Sequence, residues 1–165
     1  MGDETDFDFS AKMVFAGSGE AERNWDCMKA HAVAEWSGDV DATMETITRN
    51  EPFQTFHPTG LDVRGWENVR EFYAERFKTF SGQGFYAHRW IVTDEVITGQ
   101  GYFMNTPKGN LFGIPSYGKP VFLPMALWIY FESGLLKGEA AYFDRMELER
   151  QIREGATGDV RTPIY

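Results

Sequence analysis

The chain has little of what disulfides and metal centres require. Its 165 residues contain one cysteine, Cys27, and three histidines that are scattered along the sequence. A single cysteine cannot form an internal disulfide, and no histidine or cysteine spacing matches a zinc site. The isolated carboxylates do not form the cluster that an iron or magnesium site requires. The sequence therefore predicts no metal site.

Positive charge and long apolar runs are also scarce. The formal net charge is -9, and no cluster of lysine or arginine offsets it. Such a chain repels phosphate backbones. The longest apolar run, near residues 125–131, is far shorter than the about 20 residues that span a bilayer. The N-terminus lacks the basic segment and the apolar run of a signal peptide. We therefore expect a cytoplasmic protein with neither nucleic acid nor membrane as a partner.

Nucleophile and nucleotide motifs are missing as well. No "GxSxG" is present, and the "GSG" at residues 17–19 does not follow a predicted strand. These absences argue against a covalent triad and against a phosphate-binding loop.

Aromatic residues, in contrast, are plentiful. They make up 16% of the chain, as 14 Phe, 7 Tyr and 5 Trp. This exceeds what a small domain needs to close its core, and large flat side chains also line pockets for organic ligands. An aromatic-rich core would account for most of these residues, and the others suit a pocket for a small hydrophobic molecule.

The spacing of apolar residues predicts helices in the first half of the chain and strands in the second. Residues 20–37 and 66–80 carry apolar side chains at steps of three and four, with Arg76 inside the second stripe, and a short helix is expected at 39–48. From residue 84 the period changes to two, which predicts long antiparallel strands before a short C-terminal helix. This order indicates an α+β domain with helices on one face of a curved sheet. The expected divisions are an N-terminal arm at residues 1–19, one domain at residues 20–155 and a C-terminal arm at residues 156–165.

The last hairpin places two acids in a hydrophobic context. "PVFLPMALWIYFES" and "GLLKGEAAYFD" flank a turn at residues 133–134. A two-residue turn would pair Trp128 with Glu139 and Leu123 with Asp144, and paired residues share a face. One face is then almost wholly apolar and should lie under the helices, with Asp144 as its ionisable group and Glu139 on the opposite, solvated face. The expected inward residues are Leu123, Met125, Leu127, Ile129, Phe131, Leu136, Ala140, Tyr142 and Asp144.

Asp144 has two interpretations. A carboxylate among apolar atoms loses hydration, so its pKa should rise from about 3.9 towards values useful in proton transfer. Alternatively, Asp144 and Glu147 have the spacing of a capping box, and the aspartate would cap the last helix. The first interpretation depends on the register, which a bulge at Gly138 would change.

Two histidines and one loop are further candidates. His57 ends the strand "FQTFH", and His88 shares a strand face with Trp90. Either histidine would be able to stabilise a developing oxyanion, or would only satisfy a local hydrogen bond. The loop at 105–119 carries Phe112 among glycines and prolines, which suits a lid over a cavity or a loop packed on its own domain.

Several motifs together resemble a known family. They are "GNLFGIPSYGKPVFLP", "IYFESGLLKGEAAYFD", "LERQI", "FHPTG" and "GWENVREFYAERFKTF". The chain resembles the SnoaL-like polyketide cyclase branch of the nuclear transport factor 2-like superfamily over about residues 20–155. The resemblance implies a cystatin-like cone, in which a strongly curved antiparallel sheet packs on three N-terminal helices. It also implies a hydrophobic cavity, no cofactor and a homodimer formed through the sheet.

The resemblance further implies a role for Asp144. In the cyclases, an aspartate on the last strand acts as acid and base in an intramolecular aldol closure, and it matches Asp144 here. Tyr130 stands where the cyclases have a substrate-contacting histidine, which is a departure from their pattern.

The resulting hypothesis is a cofactor-independent acid/base enzyme for a small hydrophobic carbonyl compound, of the aldol cyclase, isomerase or dehydratase type. Asp144 would move the proton, and His57 or Tyr142 would stabilise the enolate oxygen. The alternative is a non-catalytic module of the same fold that binds a hydrophobic ligand or a partner protein. Epoxide hydrolysis is a third option, which needs at least two inward carboxylates. The residues expected to contact or enclose the substrate are Trp25, Trp66, Phe72, His88, Trp90, Phe112, Trp128 and Tyr130.

Overall fold

The computed structural model describes residues 11–158, apart from the side chains of residues 81 and 82. The outer parts of both predicted arms, residues 1–10 and 159–165, lie outside the described residues. The described residues form four α-helices: α1 at Gly19–Ser37, α2 at Val40–Glu45, α3 at Trp66–Thr79 and α4 at Arg145–Glu154. No helix of the described part is both long and apolar enough to cross a membrane.

Nine strands accompany the helices within residues 11–158. Seven form one sheet: β1 at Lys12–Phe15, β2 at Phe53–Phe56, β3 at Leu61–Arg64, β4 at Phe80–Val92, β5 at Val96–Pro107, β8 at Val121–Glu132 and β9 at Leu135–Phe143. Their order is β1-β4-β5-β8-β9-β2-β3, while β6 at Asn110–Leu111 and β7 at Ile114–Pro115 form a separate hairpin. The pairings are antiparallel except β1 with β4 and β2 with β9. The expected α+β fold is confirmed.

Local sequence explains where the helices begin. Ser18, Asp39 and Asp144 each accept backbone N–H groups at the start of α1, α2 and α4. These short polar side chains satisfy amide donors that the first helical turn leaves unpaired. Gly38, with φ 72°, ends α1 in the left-handed conformation that glycine adopts at little cost.

Two glycines make room for indole rings on the inner face of the sheet. A Cβ atom at Gly99 would lie 2.2 Å from the ring of Trp90, and one at Gly84 would lie 1.5 Å from the ring of Trp36. Trp90 therefore lies flat across the neighbouring strand. Trp25 of α1 then packs edge-on against Trp90, with ring centroids 5.7 Å apart, and joins α1 to the sheet.

The last hairpin contains a bulge that changes its register. The two-residue turn is confirmed, with φ 54° at Ser133 and 80° at Gly134. Leu136 still pairs with Phe131, but Gly138 pairs with Tyr130, so Lys137 has no partner across the hairpin. A one-residue slip exchanges the two faces of a strand.

The consequence is that the two acids exchange their expected positions. Glu139 pairs with Ile129 rather than Trp128, and it faces inward. The strand ends at Phe143, before Asp144, which is exposed. The predicted inward position of Asp144 is therefore wrong, and so is the solvated position expected for Glu139. Ala140 and Tyr142 also turn away from the inner face.

The segment that follows α2 shows why Lys137 is the extra residue. Leu136 is fully buried, and its backbone bonds the segment after α2 through the amide of Thr48 and the carbonyl of Thr46. The Lys137 ammonium meanwhile donates to the carbonyl of Asn50 at the surface. The bulge satisfies both constraints, and it allows Leu136 and Glu139, three positions apart, to face inward together.

Candidate active site

A hydrophobic cavity of about 260 Å³ lies between helices α1 and α3 and the inner face of the sheet. Asn110, Leu111 and Phe112 of the β6–β7 hairpin close one side of it, and Phe112 packs on Phe56 with ring centroids 5.2 Å apart. The wall is mostly apolar and rich in aromatic side chains, so the cavity suits an organic ligand. The aromatic lining residues are Trp36, Phe56, Phe72, Phe80, Phe85, Trp90, Phe103, Phe112 and Phe143.

Polar side chains from four elements meet at one end of the cavity. His31 and Glu35 stand one turn apart on α1, so they share a face of the helix. Glu139 of β9 pairs with Gln54 of β2 across the parallel ladder. The lining polar residues of this cluster are His31 and Glu35 from α1, Gln54 from β2, Arg76 from α3 and Glu139 from β9. The buried Tyr73 of α3 lies directly behind them.

Glu35 and Arg76 form a nearly buried ion pair. The guanidinium donates to the two carboxylate oxygens at 2.9 and 3.4 Å, and the two side chains are 16% and 11% exposed. Burial alone would raise the pKa of Glu35, but the charge of Arg76 and a hydrogen bond from His31 outweigh it and hold the pKa at about 2. Glu35 is therefore ionised across the physiological pH range.

Glu139 has the opposite tendency. Burial is the main cause that raises its pKa, and the negative charge of Glu35 adds to it, while His31 and Arg76 offset part of the effect. The hydroxyl of Tyr73 lies 3.2 Å from Oε2 of Glu139. The pKa of Tyr73 itself is raised well above its ordinary value, mainly by burial, so its hydroxyl stays protonated. Glu139 is thus the carboxyl of the cluster that is suited to exchange a proton.

Arg76 retains donors for a ligand. Two of its five N–H groups bond Glu35, and the others donate to no residue in the described part of the chain. The guanidinium also lies near the ring of Phe80, at 5.8 Å from the centroid. A ligand oxygen at this end of the cavity would therefore meet a fixed positive charge with unused N–H groups.

His31, Glu35 and Glu139 also offer ligand atoms within 4.8 Å of one another, which raises the question of a metal ion. Arg76 already supplies the positive charge of this cluster through its bonds to Glu35. A divalent ion at Glu35 would stand close to the guanidinium, and like charges in a low-dielectric site repel strongly. The residues therefore fit a metal poorly.

A sequence profile of the SnoaL-like polyketide cyclases matches residues 26–152. The chain belongs to this family. No curated protein sequence matches the chain significantly.

Solved structures show the same fold at low sequence identity. A protein of Jannaschia sp. CCS1 described as a SnoaL-like polyketide cyclase is 20% identical, with a TM-score of 0.70, 86% of this chain covered and 97% of that chain. A protein of Catenulispora acidiphila with a ketosteroid isomerase-like fold, in complex with trimethylamine, has 14% identity and a TM-score of 0.64, with 78% of this chain and 92% of that chain covered. An NTF2-like protein of Mesorhizobium loti has 12% identity and a TM-score of 0.60, with 79% of this chain and 98% of that chain covered. These likenesses concern the fold.

Asp144, matched above to the aspartate of the cyclases, lies outside the cavity of this family member. Its carboxylate accepts the backbone N–H groups of Met146 at 2.8 Å and Glu147 at 3.2 Å, which is the role of an N-cap. The expectation that its carboxyl faces the cavity is wrong, and the acid/base role argued from that position loses its basis. The inward acid of the last strand is Glu139.

His57 and Tyr142 lie on the outer face of the sheet. Their rings stack at 4.3 Å in an open groove that also includes Tyr130. Neither residue lines the cavity. Tyr142 follows the inward Ala141 on β9 and therefore faces out. The expectation that they would stabilise an enolate beside Asp144 is not supported by their positions.

The substrate-contact candidates divide into two groups. Phe72, Trp90 and Phe112 line the cavity. The other five do not line it. Trp25 packs behind Trp90, Trp66 lies under Arg49, and His88 contacts Tyr86 and Tyr102. Trp128 is 42% exposed on the outer face, and Tyr130 borders the outer groove.

Sequence reasoning missed most of the polar cluster. Arg76 gave a usable signal, since a charge inside an apolar helical stripe needs a buried partner. His31 and Glu35 have helical spacing, but nothing in the sequence connects them with Arg76 or Glu139. These contacts arise only when α1, α3 and β9 pack together.

Proposed function

We propose that the protein is a cofactor-independent acid/base enzyme for a small hydrophobic carbonyl compound, with Glu139 as the group that takes and returns a proton. One observation carries the proposal. Glu139 has a raised pKa at the polar end of a hydrophobic cavity, beside a guanidinium with unused N–H groups. A carboxyl of raised pKa is suited to proton transfer near neutral pH.

The proposed reaction begins with the substrate carbonyl oxygen next to Arg76. The carboxylate of Glu139 takes a proton from the carbon beside the carbonyl, and the electron pair of that C–H bond forms the enolate. Arg76 stabilises the negative oxygen because it stands fixed in a site of low dielectric. Glu139 then returns the proton, either to another carbon, to a second carbonyl oxygen after ring closure, or to a departing hydroxyl. Isomerisation, aldol cyclisation and dehydration share the first step.

The cavity volume bounds the substrate. About 260 Å³ falls below the roughly 300–1,000 Å³ of pockets for drug-sized ligands. A ketone of one or two rings therefore fits this cavity better than a molecule of four fused rings.

Hydrogen exchange in D₂O tests the shared step whichever product follows. Cyclohexanone and 1-tetralone are suitable probes, and ¹H NMR follows deuterium uptake at the carbon beside the carbonyl. The wild type should accelerate uptake, and Glu139→Gln should lower the rate about 100-fold or more. Glu149→Gln, on the surface of α4, is the matched control and should keep the wild-type rate. Probe binding without any acceleration of exchange would support the non-catalytic binding module instead.

The pair of inward carboxylates favours epoxide hydrolysis as a second candidate. Glu35 and Glu139 have oxygens within 4.8 Å of each other. A carboxylate can take a proton from water as the water oxygen attacks the epoxide carbon, and the opened oxygen receives a proton to give a diol. Styrene oxide in H₂¹⁸O is the probe. Enzyme-dependent diol carrying one ¹⁸O would support this candidate, and no diol above the buffer rate would exclude styrene oxide as a substrate.

A further inference from the structure

We infer that His31 is a positioning residue that shares one proton with Glu139 through the hydroxyl of Tyr73, and that Thr46 sets the imidazole tautomer that makes this possible. The catalytic consequence rests on the proposed function, but the sharing itself is measurable without a substrate.

The tautomer follows from two short distances at Thr46. Its Oγ1 lies 2.6 Å from the carbonyl oxygen of Thr43, and two oxygens this close need a hydrogen between them. The carbonyl has none, so the hydroxyl of Thr46 donates its only hydrogen there. Nδ1 of His31 lies 2.6 Å from the same Oγ1, so Nδ1 must donate to it. Nδ1 therefore carries a hydrogen, and Nε2 is the nitrogen that gains or loses a proton.

Nε2 faces the centre of the cluster. It lies 3.2 Å from the hydroxyl of Tyr73 and 3.5 Å from Oε1 of Glu35. The same hydroxyl lies 3.2 Å from Oε2 of Glu139 and accepts a hydrogen bond from Gln54 at 2.8 Å. Since Tyr73 has one hydrogen, it can donate to His31 or to Glu139, but not to both.

Two arrangements of the cluster therefore contain the same number of protons. In the first, Nε2 of neutral His31 accepts the hydrogen of Tyr73, and Glu139 is protonated and donates to the tyrosine oxygen. In the second, Nε2 is protonated, and Tyr73 donates to the Glu139 carboxylate. The first becomes the second when the Glu139 proton moves to the tyrosine oxygen as the tyrosine hydrogen moves to Nε2. The net charge of the cluster is the same in both arrangements. Burial favours the first, in which both groups are neutral, so the charges around His31 decide whether the second is reached.

The charged groups around His31 favour a proton on Nε2. Glu35 of its own helix and Glu139 of β9 are both acidic, and Arg76 of α3 opposes them. Burial lowers the pKa of His31, but the hydrogen bond and charge of Glu35 outweigh it, and the result is a raised pKa for a side chain that is 3% exposed. His31 is therefore able to keep Glu139 ionised, and ready to act as a base, at a pH where Glu139 alone would be protonated.

NMR titration of the substrate-free protein tests the sharing directly. With ¹⁵N-labelled histidine and ¹³C-labelled glutamate, His31 should have Nδ1 protonated throughout, and the signals of Nε2 and the Glu139 carboxyl should change over the same pH range. Tyr73→Phe keeps the ring but removes the connecting hydroxyl, so the two groups should titrate separately. His31→Gln should raise the pKa of Glu139 by about one pH unit, since it removes a positive neighbour. His57→Gln, in the outer groove, is the control and should change neither titration.

A second pair of variants tests the tautomer. Thr46→Ser keeps the hydroxyl and should keep Nδ1 protonated, whereas Thr46→Val should allow the hydrogen to occupy Nε2 in the neutral ring. A wild-type ring protonated only on Nε2, or a Glu139 titration that Tyr73→Phe leaves unchanged, would overturn the inference. Proton sharing without any accelerated hydrogen exchange in ketones would leave it standing and refute the proposed function. Accelerated exchange without proton sharing would refute the inference about His31 and leave the proposed function standing.

Discussion

Glu139 on β9 lies directly opposite Ile129 on β8, and both side chains face the cavity. This pairing places an ionisable carboxyl in the part of the cavity wall that the hydrophobic strands form. It exists because Lys137 is left out of the ladder, so the face of β9 changes between Leu136 and Glu139. The register of one hairpin thus decides which acid of the chain meets a ligand.

The position of Glu139 predicts a pH-dependent effect on stability. Its pKa is raised in the folded protein, so folding favours the protonated form. The stability that this form contributes is complete below the unfolded pKa of about 4.3 and is lost as the pH rises through the folded pKa. Glu139→Gln resembles the protonated form and avoids that loss. In urea unfolding at pH 5 and pH 8, the free energy of unfolding of the variant relative to the wild type should be larger at pH 8 than at pH 5.

The control for this experiment is Glu149→Gln at the protein surface. Its free energy of unfolding should differ from that of the wild type by the same small amount at both pH values. A Glu139→Gln variant that behaves in the same way would contradict the raised pKa of Glu139.

The Glu35–Arg76 pair should make a large contribution to stability as a unit. Arg76→Leu would leave the ionised Glu35 buried without its partner, which costs about 3–5 kcal/mol. Arg150→Leu, at the surface of α4, removes an ion pair with Glu147 between side chains that are about one-third exposed, and it should cost at most about 1 kcal/mol. Both values come from urea unfolding at pH 7. Equal costs for the two variants would mean that the Glu35–Arg76 pair behaves as a surface pair.

The order of elements made the fold predictable, but the site depended on one unpaired residue. Apolar steps of three and four in the helices and of two in the strands predicted the elements that carry Phe72 and Trp90, and the Gly- and Pro-rich loop made Phe112 a candidate. The inward face of β8 also followed from its alternation. Beyond Leu136, each inference assumed an uninterrupted ladder. The bulge depends on bonds from Thr46 and Thr48, which are distant in sequence, so the hairpin alone could not predict it.

The capping role of Asp144 gives a prediction that separates it from catalysis. Asp144→Ala removes the acceptor for two amide groups of α4 and should lower stability by about 1 kcal/mol. Asp144→Asn retains a capping oxygen and should change stability little. Thermal unfolding measures both. Both folded variants should keep the wild-type rate of ketone hydrogen exchange, and loss of exchange in folded Asp144→Asn would restore Asp144 as the candidate base.

The outer face of the sheet carries the last prediction, the homodimer implied by the family resemblance. Ile91 and Trp128 lie in one row across β4, β5 and β8, and they are 38% and 42% exposed. Tyr142, 43% exposed, lies beside this row on β9. Apolar side chains grouped on one face favour burial against another protein surface, and we propose that a second copy of the chain covers them.

Light scattering after size exclusion should then give a dimer mass for the wild type and a monomer mass for Trp128→Glu, because the new carboxylate would be buried without a partner. Met146→Glu is the matched control. Met146 is 82% exposed and belongs to α4 rather than to a strand of this face, so its replacement should leave the dimer intact. A monomeric wild type would refute the dimer, and a dimeric Trp128→Glu would place the interface on another surface.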